Sequence, residues 1–311
     1  MRVIGSADVE RTLDYPSLVE KLRDAFRSDI AVPLRHHHTV PTYGAVDATL
    51  LLMPAWQQGR HIGVKLVTVF PDNATRARPS VMGAYLLLDG KTGEPLALVD
   101  GPSLTLRRTA AASALAARYL SRPDCERLLM VGTGALAPHL ILAHASVRPI
   151  HHVLVWGRDL AKAEKLAKRL NRKGFRVSAT GDLAAAVQGA DIISTATLSK
   201  EPLITGELLQ PGQHLDLVGA FTPEHRETDD RCVERARVFV DTREGALSEA
   251  GDIVQPIEAG LLREDDIAAD LADLTRGQRA GRRFYDQITL FKSVGTALED
   301  LAAAQMCHQR V

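Results

Sequence analysis

Apolar residues in this sequence fall in short runs that alternate with segments of helical spacing. The clearest example spans residues 128 to 158, where two apolar runs flank a glycine-rich turn and a helical pattern. This order is typical of a βαβ unit. The turn carries Gly132, Gly134 and Ala137 in the pattern G-x-G-x-x-A, which lets the backbone approach a pyrophosphate at the start of the helix. The pattern predicts a bound dinucleotide, with an ordinary structural turn as the alternative.

The second apolar run ends at Trp156, Gly157 and Arg158. NAD sites usually place a carboxylate here to bind the ribose hydroxyl, whereas NADP sites need a cation and room for the 2′-phosphate. Gly157 and Arg158 meet the second requirement, so they favour NADP over NAD. Two alternatives stay open. In the first, Arg158 is only a solvated surface charge. In the second, Asp159 binds the ribose, although we expect this residue to cap the next helix.

Strand-like and helix-like segments continue to alternate after this unit. This pattern is typical of a doubly wound parallel sheet, so the sequence predicts an α/β Rossmann domain. Ligands of such sheets lie beyond the carboxyl ends of the strands. We therefore expect Thr197 and the turn from Val218 to Ala220 to line the cofactor crevice. The further predicted strands are KGFRVSATG, residues 191–195, HLDLVGAF and ARVFVDT.

The residues before this domain have a different pattern. A helical spacing of Leu18, Leu22 and Phe26 is followed by extended segments, a hairpin over residues 83–101 and an alanine-rich stretch that strongly favours a helix. The chain ends with a strand-like segment and a helix that we expect to be amphipathic. Composition places the domain junctions near residues 122–124 and 281–287.

Three basic side chains lie at positions where a positive charge is unfavourable. Lys65 lies inside an apolar run, where it is either at a half-buried strand edge or buried and useful for proton transfer. Arg107 and Arg108 lie near the start of the alanine-rich helix, where positive charge opposes the helix dipole. The arrangement predicts that they hold an anion, with a surface pair as the alternative.

Composition excludes several classes of function. Hydrophobic residues make up 45% of the 311 residues, and 38 basic side chains balance 38 acidic ones, so no charge excess predicts binding to nucleic acid or an anionic membrane. His36 to His38 are adjacent, but alternate side chains of a strand point to opposite faces and no further ligand pattern follows, so we predict no metal site. Cys125, Cys232 and Cys307 are odd in number and far apart, which favours a reducing compartment and, without an apolar signal segment, the cytoplasm.

Taken together, these segments resemble the ornithine cyclodeaminase/μ-crystallin family, in the family's order along nearly the whole chain. The matching pieces are GVKLVTVFPDN, RPSVMGAYLLLDGKTGEPLALVDG, LTLRRTAAASALAARYL, VGTGALA, PLITGELLQPGQHLDLVGAF and ITLFKSVGTALEDLA.

The resemblance implies two domains and a homodimer. Residues 123–287 would form the Rossmann domain, and residues 1–122 with 288–311 an α+β substrate-binding and dimerisation domain. Arg35 and Arg108 would hold a substrate carboxylate, because paired guanidinium groups fit both of its oxygens. Lys65 would stand at the reacting carbon or nitrogen.

The resemblance also extends the cofactor site. Ser80, Thr197 and Ser293 match positions near the nicotinamide half of the cofactor. The cofactor-binding residues that we predict are Ser80, Arg108, Gly132, Gly134, Ala135, Leu136, Ala137, Gly157, Arg158, Thr197, Val218, Gly219 and Ser293.

Two positions depart from the family pattern. Leu136 stands where the glycine turn usually carries glutamine, so one polar contact near the cofactor is absent. Phe221 stands where ornithine cyclodeaminases carry an aspartate that engages the distal amine of the substrate. A phenyl ring cannot balance an ammonium group, and a buried unpaired cation is costly.

The departure at Phe221 favours a substrate with one carboxylate and an apolar ring. Family members that resemble this chain at the turn reduce Δ1-pyrroline-2-carboxylate or Δ1-piperideine-2-carboxylate, giving proline or pipecolate by hydride transfer to C=N. Phe221 would pack against the ring. The alternatives are ornithine cyclodeamination, an amino-acid dehydrogenase or imine reductase with an open-chain substrate, and a cofactor-binding or small-ligand-binding protein without turnover.

Overall fold

The computed structural model describes residues 1–44, 46–76, 78–171 and 174–311. In chain order the strands are β1 (Arg2–Ile4), β2 (His36–Val40), β3 (Ala48–Gln57), β4 (His61–Val69), β5 (Val81–Asp89), β6 (Pro95–Asp100), β7 (Arg127–Val131), β8 (His152–Trp156), β9 (Arg176–Thr180), β10 (Ile192–Thr195), β11 (His214–Leu217), β12 (Arg237–Val240), β13 (Ala269–Asp270) and β14 (Thr289–Lys292). The helices are α1 (Ser6–Thr12), α2 (Tyr15–Arg27), α3 (Gly101–Leu120), α4 (Ala137–Ala145), α5 (Leu160–Leu170), α6 (Leu183–Gly189), α7 (Asp230–Arg235), α8 (Arg243–Glu249), α9 (Gly251–Glu258), α10 (Leu271–Arg276) and α11 (Ala297–Arg310).

The chain divides into two compact units. Unit 1 comprises residues 1–109 and 296–311, and unit 2 comprises residues 110–295. The first division therefore falls within helix α3, earlier than the junction near residue 122 that the sequence predicted. The second falls after β14, because this strand pairs with β11 and β12 and so belongs to unit 2 rather than to the terminal segment 288–311.

Unit 1 contains a six-stranded sheet in the order β1-β6-β5-β4-β3-β2. Strand β1 runs parallel to β6, and all other neighbours are antiparallel. The hairpin predicted over residues 83–101 is confirmed as β5 and β6. Strand β4, which carries Lys65, lies between β3 and β5 in the interior of the sheet.

Helix α11 completes unit 1 and differs from the sequence prediction. It contacts α2 and strands β3, β4 and β5, and every residue from Ala297 to Cys307 is buried. The predicted helix is confirmed, but its predicted amphipathic character is wrong, because the residues of its first three turns are buried on every face. Its alanines at 302 to 304 are fully buried, and such small side chains allow close packing between helix and sheet.

Unit 2 contains an eight-stranded sheet in the order β13-β12-β14-β11-β10-β7-β8-β9, with every pair parallel. The α/β fold with a doubly wound parallel sheet is confirmed. Strand order reverses between β7 and β10, since β8 and β9 extend to one side and β10 and β11 to the other. Ligands of open α/β sheets bind at such a point, beyond the carboxyl ends of the strands.

Candidate active site

Lys65 in unit 1 is buried rather than placed at a solvated strand edge. It projects from the interior strand β4 and is only 3% exposed. Its ammonium nitrogen lies 2.7 Å from Oδ2 of Asp300, a fully buried residue of helix α11. Lys65 therefore belongs to an internal ion pair, which excludes the alternative in which its amine simply reaches solvent.

Arg108 contacts the same helix α11. Its Nε donates to Oδ1 of Asp300 at 2.9 Å, and its Nη1 donates to Oε2 of Glu299 at 2.6 Å. The nearest anions to this arginine are thus acids of the chain itself, which the sequence analysis did not foresee. The neighbouring Arg107 has a different partner. Its guanidinium group lies over the Tyr15 ring, 5.0 Å from the ring centroid.

The two acids, Glu299 and Asp300, are held by the start of helix α11. Thr296 is the N-cap, and its Oγ1 accepts from the backbone N–H of Leu298 at 3.4 Å. Acidic side chains are common in a first helical turn because they complement the helix dipole. For this reason the two acids did not stand out in the sequence as partners of buried cations. The available signal was an acidic pair inside LEDLAAAQM, a segment in which Gln305 is the one other polar residue.

Burial and neighbouring charges set the protonation states of the ion pair. Burial lowers the pKa of Lys65 to about 8, with Asp300 acting in the opposite direction and Arg108 and Arg35 adding to the decrease. Burial alone would raise the pKa of Asp300, but the positive charges of Arg108 and Lys65 outweigh it and hold that pKa below its ordinary value. At neutral pH the two groups therefore exist as ammonium and carboxylate.

Arg35 lies in the segment before β2, partly buried, and close enough to repel the Lys65 ammonium. Unit 1 thus brings together the three basic residues that the sequence assigned to the substrate. Guanidinium groups in such a poorly solvated place are suited to bind a substrate carboxylate, because they can donate hydrogen bonds to both of its oxygens.

Tyr85 adds a hydroxyl group to this cluster. It is the register partner of Lys65 on β5 and is fully buried, and its hydroxyl has no hydrogen-bond partner among the described residues. Burial first, and then the charge of Asp300, raise the pKa of this phenol well above its ordinary value. The ring needs the glycine at position 63, since a Cβ there would lie 1.8 Å from the hydroxyl oxygen. Tyr85 was not identified from the sequence.

The glycine-rich turn in unit 2 opens onto a cavity of about 560 Å³ at the point where strand order reverses. Gly132 has φ of 123°, and a Cβ at this position would lie 2.6 Å from the carbonyl oxygen of Ala196, after β10. The first glycine is therefore required by the backbone. The lining residues are Gly132, Thr133, Gly134, Trp156, Gly157, Arg158, Asp159, Lys162, Ala196, Thr197, Leu198, Ser199 and Leu203.

Helix α4 begins directly after this turn, at Ala137. The preceding residues, Ala135 and Leu136, lead into the helix, and Leu136 at the N-cap gives no side-chain hydrogen bond. The first N–H groups of a helix lack intrahelical acceptors and favour an anion. The turn is thus suited to a pyrophosphate.

Cations also line this cavity. Arg158 is exposed at the end of β8, and Lys162 of α5 also lines the cavity. Asp159 is the N-cap of α5, where its Oδ1 accepts from the backbone N–H of Lys162 at 3.3 Å. The capping role predicted for Asp159 is confirmed, and its carboxylate is correspondingly engaged.

Glu227 fixes the loops that follow β10 and β11, and this residue was not identified from the sequence. This fully buried carboxylate accepts from the hydroxyl groups of Thr195 and Thr197 and from the backbone N–H groups of Thr197 and Gly219, each at 2.7 Å. Burial raises its pKa, with Lys292 acting in the opposite direction. The predicted cofactor residues Thr197 and Gly219 thus share one anchor.

The remaining predicted residues lie at strand ends or in loops. In unit 2, the Val218 N–H donates to the carbonyl of Thr195, and the Ser293 N–H to that of Leu217. Phe221 is 50% exposed and stacked on His225, with ring centroids 6.4 Å apart. In unit 1, Ser80 is partly buried, and its backbone carbonyl accepts from the Phe70 N–H.

Two kinds of feature are absent from the described residues. Among them no group of three or more histidines, cysteines or acids has the geometry of a metal site, and His36 to His38 are exposed on β2. No helix in the same residues is long and apolar enough to cross a bilayer.

Relatives of the chain match it over almost its entire length. A family model described as "Ornithine cyclodeaminase/mu-crystallin family" matches residues 2–311. A Δ1-pyrroline-2-carboxylate reductase of Colwellia psychrerythraea is 39% identical over 317 residues, covering 100% of this chain and 99% of the relative.

Solved structures of similar proteins also match the chain over almost its entire length. Thermococcus litoralis Δ1-pyrroline-2-carboxylate reductase, in complex with NADH and L-proline, has a TM-score of 0.93 and 33% identity, covering 100% of this chain and 97% of that chain. An archaeal alanine dehydrogenase dimer with bound NAD has a TM-score of 0.91 and 26% identity, covering 100% and 95%.

The glycine turn yields a direct test of dinucleotide binding. We expect Gly132→Ala to weaken NADPH binding by at least about tenfold, because the strained backbone and the contact with Ala196 displace the turn. Titration of NADPH fluorescence measures the effect. Gly181→Ala is the control, since a Cβ there meets nothing within 4 Å. Equal affinities of the two variants would contradict the assignment.

Proposed function

From the premise that this chain belongs to the ornithine cyclodeaminase/mu-crystallin family, we propose that it is an NAD(P)H-dependent reductase of cyclic imino acids. The substrate is Δ1-pyrroline-2-carboxylate or Δ1-piperideine-2-carboxylate, and the product is proline or pipecolate. The Colwellia psychrerythraea and Thermococcus litoralis relatives, which are named for the first of these substrates, support the proposal.

The buried contact of Lys65 and Arg108 with Asp300 is the observation that carries this proposal. Arg108 and Arg35 bind the substrate carboxylate, because two guanidinium groups can donate to both of its oxygens. Lys65 donates a hydrogen bond and then a proton toward the imine nitrogen. The arrangement requires that the cluster of unit 1 and the crevice of unit 2 act on one substrate, which is part of the proposal.

A bound NAD(P)H supplies the hydride for the imine carbon. Hydride addition at carbon and proton addition at nitrogen together convert C=N to CH–NH, so the reaction needs no further reactant. The chain holds the dinucleotide at Gly132, Gly134 and the start of α4, with Ser80, Thr197 and Ser293 near the nicotinamide. Its own contribution is orientation and proton supply.

Phe221 separates this proposal from ornithine cyclodeamination. Its ring is stacked on His225 in the turn where ornithine cyclodeaminases carry aspartate, so the turn offers an apolar wall in place of an anion. A distal ammonium group would be left without a partner there, whereas the methylene groups of a ring would be accommodated.

An amino-acid dehydrogenase is the second candidate. The similarity to an archaeal alanine dehydrogenase over the full chain favours it, since the same basic cluster would bind an open-chain amino acid. We prefer the cyclic substrate because of the higher identity to the pyrroline-2-carboxylate reductases.

We further propose that NADPH is preferred to NADH. Arg158, Asp159 and Lys162 line the cavity at the end of β8. Oδ1 of Asp159 caps helix α5, and its Oδ2 lies 3.8 Å from Nζ of Lys162. The exposed guanidinium of Arg158 is therefore the group best suited to the additional phosphate of NADPH. The relatives with solved structures contain NADH or NAD, so NADH is the alternative.

A homodimer is proposed from the sheet of unit 1. Its second face, which we name the open face, consists of cross-strand rows of apolar residues that are exposed or half buried, and a surface of this kind is typical of an interface. We propose that a second copy of the chain covers it, and the similarity to an archaeal alanine dehydrogenase that is a dimer supports a homodimer. The rows are Leu52 with Leu66, Pro54 with Val64, Leu86 and Leu98, and Trp56 with Ile62 and Leu88.

The cytoplasm is the proposed location. All three cysteines are buried and free of disulfides. Unpaired thiols are typical of proteins in a reducing compartment.

A substrate panel tests the proposed reaction. We expect NADPH absorbance to fall on addition of Δ1-pyrroline-2-carboxylate or Δ1-piperideine-2-carboxylate, and no ammonia to be released from L-ornithine. Lys65→Ala should reduce turnover by about 10²-fold or more while NADPH still binds, because the proton donor is lost. Lys91→Ala, in an exposed hairpin turn, is the control. Efficient release of ammonia from ornithine would overturn the argument from Phe221.

The pKa of Lys65 predicts how the rate depends on pH. Raising the pH through about 8 removes the proton from Lys65, so kcat/KM for imine reduction should fall above that pH, while proline oxidation should rise. Steady-state rates between pH 6 and about 10, with NADPH binding measured at each pH, test this. A reduction rate that stays constant to the alkaline end would contradict a role for the ammonium.

The cofactor preference depends on Arg158. We expect Arg158→Ala to raise KM for NADPH by roughly tenfold and to leave KM for NADH within about twofold. Lys165→Ala, an exposed cation of the same helix α5 that does not line the cavity, is the matched control. A parallel increase for both cofactors would argue against 2′-phosphate binding.

A charged substitution on the open face tests whether this face is the dimer interface. We expect Leu86→Arg to convert the dimer to a monomer, because an unpaired cation would be buried at the interface. Light scattering after size-exclusion chromatography measures the mass. Leu261→Arg, at an exposed position of unit 2, should leave the dimer intact. A Leu86→Arg protein that remains a dimer would place the interface elsewhere.

A further inference from the structure

We propose that Asp300 is a positioning residue, whose single carboxylate holds the proton donor Lys65 by one oxygen and the carboxylate-binding Arg108 by the other. The inference rests on the proposed function, because it assigns these two partners their roles in imine reduction. Asp300 itself does not contact the substrate in this scheme. It acts by fixing where the two cations stand.

The geometry is that of a bridge between two elements. Oδ2 lies 2.7 Å from Nζ of Lys65 on β4, and Oδ1 accepts from Nε of Arg108 on α3 at 2.9 Å. Because both oxygens belong to one rigid carboxylate, the ammonium and the guanidinium are held at a set separation. A cyclic imino acid also has a set separation between its carboxylate and its ring nitrogen.

The bridge has little freedom to move. Asp300 is fully buried in the first turn of α11, and the helix around it is buried from Ala297 to Cys307. An aspartate side chain has two rotatable bonds, and both oxygens are engaged. Lysine, in contrast, has a long flexible stem that loses its positioning when its partner is removed.

Asp300 also determines the charge of Lys65. The groups that face the ammonium are Arg108 from α3, Arg35 from the segment before β2, Tyr85 from β5 and Asp300 from α11. Burial and both arginines lower the pKa of Lys65, and Asp300 opposes them by charge and by hydrogen bonding. Without this acid, Lys65 would lose its proton at a lower pH. Part of the protein would then carry a neutral amine at pH values at which Lys65 is now an ammonium group and can donate a proton.

Glu299 provides a matched comparison. It is the preceding residue of the same helical turn, equally buried, and its Oε2 accepts from Nη1 of Arg108 at 2.6 Å. Asp300 pairs with both Lys65 and Arg108, and Glu299 also pairs with Arg108. A purely structural role for buried acids would make Asp300→Asn and Glu299→Gln equivalent.

The first experiment measures the Lys65 pKa in the whole protein without turnover. Lysine Nζ resonances are titrated by ¹⁵N NMR, with the Lys65 signal assigned by its loss in Lys65→Arg. We expect Asp300→Asn to lower this pKa by at least about one unit and Glu299→Gln to change it by less than about 0.3 units. An unchanged Lys65 pKa in Asp300→Asn would overturn the proposal, whether or not the protein reduces imines.

The second experiment separates position from charge and also serves if Asp300→Asn does not fold. Asp300→Glu keeps the charge but displaces the carboxylate by one methylene. We expect kcat for imine reduction to fall by about tenfold or more while the alkaline limb of its pH profile stays near the native one. Native kcat in Asp300→Glu would overturn the positioning role. A native protein that reduces no imine would instead refute the proposed function, with the NMR result still deciding the Lys65–Asp300 contact.

Discussion

The burial of two cations against one acidic helical turn is the constraint on which unit 1 depends. Lys65 and Arg108 come from a strand and a helix that are distant in sequence from Asp300 and Glu299. Charges are poorly solvated in such a place, and removing one partner of a buried ion pair costs about 3–5 kcal/mol. The C-terminal helix must therefore pack onto the sheet for the basic residues to be tolerated at all. The stability of this part of the fold and the chemistry of the site are set by the same contacts.

Unit 2 relies more on backbone groups at its candidate site. Its crevice is formed by backbone at the switch point, with Gly132 required by its conformation and by the approach of Ala196. Cations lie at the outer end, where Arg158 is exposed to solvent and need not be paired internally. Glu227 is buried, and four hydrogen bonds from strand ends and the loops after them compensate its charge. A dinucleotide site can thus be built largely from local sequence, whereas the basic cluster of unit 1 cannot.

This difference between local and long-range contacts explains which features could be predicted from the sequence and which could not. The glycine turn, the parallel sheet, the hairpin of β5 and β6 and the cap at Asp159 follow from residues close together along the chain, and they were found. Asp300 was missed because its partner Arg108 lies 192 residues away and because an acid in a first helical turn has an ordinary explanation. Helix α11 was misjudged for a related reason, since alanine-rich segments show no clear apolar face. The place of β14 between β11 and β12 depends on long-range pairing that strand patterns do not specify.

A crystal structure of the protein with NADP⁺ and L-proline tests the central claim most directly. The account predicts the proline carboxylate within hydrogen-bond distance of Arg108 and Arg35, the proline nitrogen facing Nζ of Lys65, and Asp300 still bridging Lys65 and Arg108. Proline bound away from these residues, or Asp300 turned away from Lys65 in the complex, would contradict it.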